Sequence, residues 1–191
     1  RIHVKAIDGV GDVAPGSEGA DILAFYFDER ADELAFRVSM LEMIDPATGM
    51  DVYGREKTKI LVLVDYAEGG AVSLPFGIAG EAKVAWDEAI LLDPFAKRDG
   101  ERARRLESAG GAVSAAPPRR ALVDRRGEYL EGSVSLSAAY AEAASRALRR
   151  TVSVPAAVSP GGETERALVA ANDPTPVSFE ILAVTGGAVA D

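Results

Sequence analysis

The first residues that could do chemistry lie in an acidic, glycine-rich stretch, DGVGDVAPGSEGAD, at residues 8–21. Asp8, Asp12 and Asp21 supply carboxylate oxygens, which Ca²⁺ prefers as ligands, and the glycines allow backbone carbonyls to turn inward. The spacing does not match an EF-hand loop, because the Asp-x-Asp-x-Asp start and the closing Glu are missing. The alternative is a polar loop whose Asp and Gly residues form turns. Two interpretations stay open: a Ca²⁺ site, or a loop without a cofactor.

A second candidate site surrounds the single tryptophan, in AWDEAILLDP at residues 85–94. The ring of Trp86 could stack on a sugar while the carboxylate of Asp87 binds its hydroxyl groups. We assign Tyr26, from the apolar run ADILAFYF, to the same class of ligand-binding residue. The alternative for Trp86 is a place in the hydrophobic core, which is the more common location of a lone tryptophan.

Composition excludes several classes of function. The chain has no cysteine and a single histidine, His3, so thiolate chemistry and multi-histidine metal sites are ruled out. The glycine pairs do not match a nucleotide-binding loop, and no Gly-x-Ser-x-Gly elbow is present. The net charge of −9 disfavours nucleic acid as a partner, and no apolar run is long enough to span a bilayer. We therefore expect no catalysis by this chain.

The elements that would position these residues are mostly short strands. Apolar or alternating runs, separated by turn residues, occur at 20–27, 34–43, 58–66, 82–86, 88–92, 120–124, 128–137, 151–158, 165–171 and 177–184. One helical pattern follows Ser137, a candidate N-cap. The chain lacks βαβ alternation, so the prediction is an all-β fold: a single antiparallel β-sandwich domain over residues 1–191, with one short late helix.

Two finer expectations concern the second half of the chain. Residues 97–120 are rich in charge, small residues and proline, which predicts a mobile surface insertion that forms a loop or a short exposed helix. Arg102, Arg104 and Arg105 would lie on a solvated face or in a docking patch for an acidic partner. In the run at 128–137, alternation places Val134 in the core and Glu131 outside. Val134→Asp should therefore prevent folding, whereas Glu131→Lys should be nearly silent.

Four stretches carry a resemblance to a known superfamily: DILAFYF at 21–27, ELAFRVSM at 33–40, VDYAEGG at 64–70 and GEYLEGSVSLS at 127–137. Together they resemble the DOMON-like β-sandwiches, which include the family-nine carbohydrate-binding modules and the C-terminal domains of glucodextranase-like enzymes. The similarity extends loosely over residues 8–140. It implies a β-sandwich that binds glycans and carries no catalytic motif.

The combined expectation is a non-catalytic accessory module of a larger extracytoplasmic or secreted bacterial protein, although a chain without cysteine is also compatible with the cytoplasm. Its partners would be a polysaccharide and neighbouring domains of the same polypeptide, with no nucleic acid and no membrane span. The alternative is a structural or adhesive module of a surface or filament assembly, stabilised by a cation.

Overall fold

The computed structural model describes residues 3–7, 18–30, 33–98, 101–108, 113–115, 120–124, 126–135, 137–147, 150–153 and 177–185. Within these ranges the chain forms the following strands and helices: β1 His3–Ile7, β2 Ile22–Arg30, β3 Glu33–Met40, α1 Val52–Glu56, β4 Lys59–Asp65, β5 Ala71–Ser73, β6 Glu81–Trp86, β7 Glu88–Leu92, β8 Ala103–Glu107, β9 Val113–Ala115, β10 Arg120–Asp124, β11 Tyr129–Ser135, α2 Ala138–Arg146, β12 Arg150–Ser153 and β13 Val177–Val184.

The strands form two large sheets and one small hairpin. The five-stranded sheet has the order β1-β2-β3-β11-β10, and the six-stranded sheet has the order β12-β13-β4-β7-β8-β9. Strands β5 and β6 pair with each other. Neighbouring strands are antiparallel except β12 and β13, which run parallel. The predicted fold class, an all-β sandwich-like fold, is confirmed.

The hairpin of β2 and β3 builds one wall of the core between the sheets. In β3 the residues alternate between buried and half-buried, because every second side chain faces the other sheet. In β2 the pairing register shifts between Ile22 and Ala24. This irregularity allows Ile22 and Phe25 to lie in the same core, although strict alternation would place them on opposite faces.

Strand β4 is buried on both of its faces. Ile60, Val62 and Val64 contribute to the core between the two sheets. Leu61 and Leu63 point the other way, into a second core formed with the β5–β6 hairpin. A strand covered on both sides needs apolar residues at consecutive positions, which explains the unbroken apolar run from Ile60 to Val64.

Polar contacts fix the β5–β6 hairpin over the six-stranded sheet. The carboxylate of Glu180 on β13 is buried and accepts hydrogen bonds from the backbone N–H groups of Lys83 and Val84, at 2.6 and 3.3 Å. Gly70, with φ of 89°, precedes β5, and a Cβ at this position would overlap the Ala85 carbonyl. The second core is therefore closed by a buried carboxylate and a close backbone approach.

The segment predicted as a surface insertion contains two strands of the six-stranded sheet, so the loop or helix interpretation of residues 97–120 was wrong for β8 and β9. Ala103 lies in the core, whereas the Arg104 guanidinium stands 5.3 Å from the ring centroid of Phe76. Arg104 and Arg105 are both half-buried. The aliphatic stems of arginines can cover apolar surface, and this contribution does not appear in a hydrophobic pattern.

Among the described residues, the structure contains the predicted late helix α2, the short helix α1 and one turn of 3-10 helix at Glu18–Ala20. Ser137 caps α2, and its hydroxyl accepts a hydrogen bond from the N–H of Tyr140 at 3.0 Å. The five-residue helix α1 was not predicted; its cap is Asp51, which accepts from the N–H of Gly54 at 2.8 Å. Strand β12 lies at the edge of its sheet, where the prolines that follow in the sequence, Pro155 and Pro160, remove no hydrogen bond from a central strand. The strand expected at 165–171 lies outside the described residues.

The two faces of β11 agree with the predicted alternation, and Glu131 has an ion-pair partner that the sequence did not predict. Val134 and Leu130 are buried in the core. Glu131 lies on the opposite face, where its carboxylate is 2.9 Å from Nε of Arg37. Glu131→Lys would place two cations side by side, so we now expect it to destabilise the protein.

The core between the sheets provides a first test, at Phe179. This residue is 0% exposed, and its ring centroid lies 5.0 Å from that of Phe27. Phe179→Ala should lower the free energy of unfolding by about 3–5 kcal/mol, because it removes buried area and leaves a cavity. Val72→Ala, at a residue 53% exposed, should change it by less than about 0.5 kcal/mol. Urea denaturation measures both; similar losses would contradict the assigned core.

Candidate functional site

The outer face of the five-stranded sheet brings together polar and aromatic side chains from three strands. Tyr26 on β2 is directly opposite Arg37 on β3, and Arg37 is directly opposite Glu131 on β11. Tyr129 lies two residues before Glu131, so it shares this face. We call Tyr26, Arg37, Tyr129 and Glu131 the outer-face patch.

Arg37 is the centre of the outer-face patch. Its guanidinium carbon stands 3.9 Å from the ring centroid of Tyr129, and its Nε lies 2.9 Å from the carboxylate of Glu131. The side chains of Arg37 and Glu131 are 34% and 18% exposed, so the ion pair is partly shielded from water. The stacking contact and the ion pair hold the guanidinium in one orientation. The Arg37 side chain therefore has little conformational freedom left to lose.

The patch offers three kinds of interaction in one plane. Tyrosine rings provide apolar faces with a polar hydroxyl at the tip. The guanidinium provides several N–H donors in a fixed plane, and the carboxylate provides acceptors. This combination suits a ligand that has both C–H faces and hydroxyl groups.

Trp86 and Asp87 have structural roles at the end of β6. Trp86 is 3% exposed in the second core, and its Nε1 donates to the carbonyl of Ser73 at 2.9 Å. This placement agrees with the core alternative for Trp86. Oδ2 of Asp87 accepts from the backbone N–H groups of Tyr66 and Ala67, both at 2.8 Å, and so fixes the turn after β4. A ligand contact at either residue stays an untested prediction.

Of the three predicted Ca²⁺ ligands, only Asp21 lies in the part of the chain that the structure describes. Asp8 and Asp12 lie outside the described residues. Asp21 is buried just before β2, and its carbonyl accepts from the N–H of Leu41 at 2.7 Å. The part of the chain that the structure describes holds no group of three or more metal-ligating side chains. Ca²⁺ binding by these residues therefore stays a prediction.

A second group of polar residues lies at one end of the core between the sheets, beneath α2. Glu88 on β7 is 0% exposed, and its Oε1 accepts hydrogen bonds from the hydroxyl groups of Tyr66, at 2.9 Å, and of Ser137. The hydroxyl of Tyr140 donates to Oε1 of Glu29 on β2. We call Glu29, Tyr66, Glu88, Ser137 and Tyr140 the tyrosine–carboxylate cluster.

The two tyrosines of this cluster pack against each other. Their ring centroids are 5.9 Å apart in an edge-to-face arrangement at 84°. Burial raises the pKa of the Tyr66 hydroxyl to about 12, and the charge of Glu88 acts in the same direction, although the hydrogen bond with Ser137 opposes it. Tyr66 therefore remains protonated, and a donor to Glu88, at neutral pH.

Sequence analysis predicted one residue of the outer-face patch, Tyr26, as a ligand-binding residue, and it predicted no residue of the tyrosine–carboxylate cluster as part of a site. The tyrosine–carboxylate cluster combines residues of β2, the turn after β4, the start of β7 and the start of α2, so no local motif marks it. One clue was present: Glu88 opens an otherwise apolar strand whose five residues are all buried. A charged residue at a position of that kind is rarely buried without a role.

Asp65, at the end of β4, is a half-buried carboxylate with a perturbed pKa. Burial, followed by repulsion from the nearby Asp87 carboxylate, raises the pKa of Asp65 to about 6. The folded state therefore holds this proton up to a higher pH than the unfolded chain does. Ionised Asp65 thus destabilises the fold at neutral pH.

No protein-family model matches this sequence, and no curated protein matches it either. None of the helices among the described residues is long and apolar enough to cross a membrane.

Asp65 gives a prediction about stability and pH. Because the pKa of Asp65 is raised, the free energy of unfolding falls as pH rises from about 4 to about 6. Above about pH 6 the destabilisation by ionised Asp65 is complete and stays constant. Asp65→Asn should raise the free energy of unfolding by ~1 kcal/mol at about pH 8, a value reduced for partial solvent screening, and by almost nothing at about pH 4.

Thermal unfolding of both proteins across this pH range measures the difference. Glu68→Gln, at an exposed carboxylate in the loop that follows β4, is the matched control and should leave the profile unchanged. A stabilisation by Asp65→Asn that is equal at both pH values would contradict the assignment.

Proposed function

We propose that this chain is a non-catalytic accessory module that binds a polysaccharide through the outer-face patch. The observation that carries the proposal is the row Tyr26–Arg37–Glu131 across three adjacent strands, with Tyr129 stacked against the arginine. Glycan binding also agrees with the resemblance to carbohydrate-binding β-sandwiches, which is an argument from fold pattern.

The physical argument rests on what a sugar presents to a protein. A pyranose ring has C–H groups on its faces, which pack on aromatic rings, and hydroxyl groups around its edge, which donate and accept hydrogen bonds. The tyrosines of the patch supply ring surface, and the Arg37–Glu131 pair supplies both donors and acceptors. Because the pair is already oriented by stacking, ligand binding would order few additional side chains.

The position of the patch on the face of a sheet indicates the type of glycan. The patch lies on the pleated face of a sheet, and its residues stand at neighbouring register positions. Such a surface fits an extended sugar chain lying across the strands better than a small molecule that needs a deep pocket. The accessory role, with neighbouring domains of the same polypeptide and an extracytoplasmic location, belongs to the same proposal.

A glycan array followed by calorimetry tests the function. The protein should bind at least one polysaccharide, and Tyr26→Ala should weaken that binding by about tenfold or more, because it removes a central contact surface. Tyr129→Ala should weaken it similarly. Met50→Ala is the control, because Met50 is 49% exposed and lies in a loop outside the outer-face patch. This variant should leave the affinity for the glycan unchanged.

Two outcomes would overturn the proposal. The first is no binding to any glycan of a broad array by the folded protein, which would favour a structural or adhesive module. The second is glycan binding whose affinity does not change in either tyrosine variant, which would place the site elsewhere. Circular dichroism of each variant confirms that the comparison is between folded proteins.

A further inference from the structure

Arg37, at the centre of the outer-face patch, is a positioned cation that donates no hydrogen bond within the part of the chain that the structure describes. Its buried Nε lies 2.9 Å from the carboxylate of Glu131, yet the N–H group is not directed at that oxygen and has no hydrogen-bond partner. A guanidinium carries five N–H donors, and four of them are on the two terminal nitrogens. These donors are available to an acceptor that comes from outside the protein.

The guanidinium is the more accessible member of the ion pair. The Arg37 side chain is 34% exposed, whereas that of Glu131 is 18% exposed. One face of the guanidinium is covered by the ring of Tyr129, whose centroid is 3.9 Å from the guanidinium carbon. The stacking leaves the edge of the guanidinium, where the N–H donors lie, for a ligand.

The sequence next to the patch is basic, although the chain as a whole is acidic. Residues 119–126, RRALVDRR, contain four arginines and one aspartate, a formal charge of +3, whereas the whole chain carries −9. Within this stretch, β10 pairs with β11 of the patch. Oδ1 of Asp124 accepts from the backbone N–H groups of Arg126 and Gly127, at 3.1 and 2.9 Å, and Arg126 is exposed. The basic stretch therefore borders the patch on its β10 side.

We propose that the outer-face patch selects a polysaccharide built from uronic acids, and that the terminal N–H groups of Arg37 bind the carboxylate of one sugar. This inference rests on the proposed function and names the ligand class of the same site. Guanidinium and carboxylate are both planar, so they can form two parallel hydrogen bonds. Such charge-assisted bonds are stronger than bonds to a neutral sugar hydroxyl, which gives the preference for the acidic sugar.

Tyr26 and Arg37 are close enough to contact the same sugar. They are directly opposite each other on the antiparallel strands β2 and β3, which places their Cβ atoms about 4.5–5.5 Å apart. A uronic acid has its carboxylate attached to the edge of the pyranose ring. The C–H face of the ring can therefore pack on Tyr26 while the carboxylate binds Arg37.

The charges of the chain argue against recognition of polyanions in general. A ligand held by charge alone, such as a nucleic acid, needs many basic side chains along one surface. Here the positioned arginine lies beside Glu131, and the net charge of −9 repels a polyanion at long range. An acidic ligand must therefore gain from ring packing as well as from its carboxylate, and a uronic acid polymer offers both.

Calorimetry with matched polymers tests the ligand class, at an ionic strength of about 0.15 M, which screens charges more than roughly 8 Å apart. The probes are polygalacturonate, alginate and hyaluronate, each beside its carboxyl-reduced form, with polyglutamate and double-stranded DNA as polyanions without uronic acids. At least one uronate polymer should bind tenfold or more tightly than its reduced form, and the two other polyanions should not bind.

The outcomes separate this inference from the proposed function. A reduced polymer, polyglutamate or DNA that binds as tightly as the uronate polymers would overturn the inference. Binding of neutral glycans alone, weakened by Tyr26→Ala, would also overturn it and would leave the proposed function intact. The absence of binding to every glycan would overturn both.

The matched variants are Arg37→Gln and Arg98→Gln, each of which removes one positive charge from an ion-paired arginine. Arg98 is 83% exposed and lies 3.4 Å from Glu101, outside the patch. Arg37→Gln should weaken binding of the uronate polymer tenfold or more and remove the preference over the reduced form, whereas Arg98→Gln should change neither. Arg37→Lys keeps the charge without the planar fork, so it should bind less tightly than the unmodified protein. Equal effects of Arg37→Gln and Arg98→Gln, or no effect of Arg37→Gln, would overturn the inference.

A measurement on the unmodified protein decides the matter if Arg37→Gln does not fold. Titration with the trisaccharide of galacturonic acid, or of whichever uronic acid the polymers identify, should shift the side-chain N–H resonance of Arg37 and the ring resonances of Tyr26 in NMR spectra. The carboxyl-reduced trisaccharide should not shift the Arg37 resonance. An Arg37 resonance that stays unchanged at saturation would overturn the inference.

Discussion

The burial of β4 on both of its faces is the constraint on which the other layers depend. One side of the strand packs against the five-stranded sheet and the other against the β5–β6 hairpin. Its neighbours β13 and β7 contribute residues to both cores in the same way, for example Ile181 and Leu182. The described strands therefore form three layers, and apolar residues of the middle one belong to both cores.

Carboxylates that are buried, as in Glu180 and Glu88, or half-buried, as in Glu29, connect these layers through hydrogen bonds. Glu180 binds backbone N–H groups of β6 and so attaches the hairpin to the middle sheet. Glu88 and Glu29 belong to different sheets, and both accept hydrogen bonds from the beginning of α2. A buried carboxylate that loses its donors is costly, so these contacts fix the relative position of the layers more strictly than apolar contacts, which tolerate small shifts.

The two candidate sites differ in how the fold produces them. The outer-face patch arises from strand register: β2, β3 and β11 align Tyr26, Arg37 and Glu131 in one row on the side facing away from the core. The tyrosine–carboxylate cluster arises from a chain crossing, because α2 follows β11 of one sheet and passes over the end of the other. The first site needs a correct register between strands, and the second needs both sheets to be packed.

The amino-acid sequence by itself determined the fold class, most of the strands and the cap of α2, because hydrophobic alternation, unbroken apolar runs and N-caps act over a few neighbouring residues. It did not reveal β8, whose arginines are half-buried, nor the register shift in β2 that places Ile22 and Phe25 in the same core. The partners of Glu88, Glu131 and Glu180 were decided by tertiary structure alone. These hydrogen bonds and ion pairs join atoms from distant parts of the chain. The distance between such atoms is set by the packing of the sheets, so a pattern of neighbouring residues does not predict it.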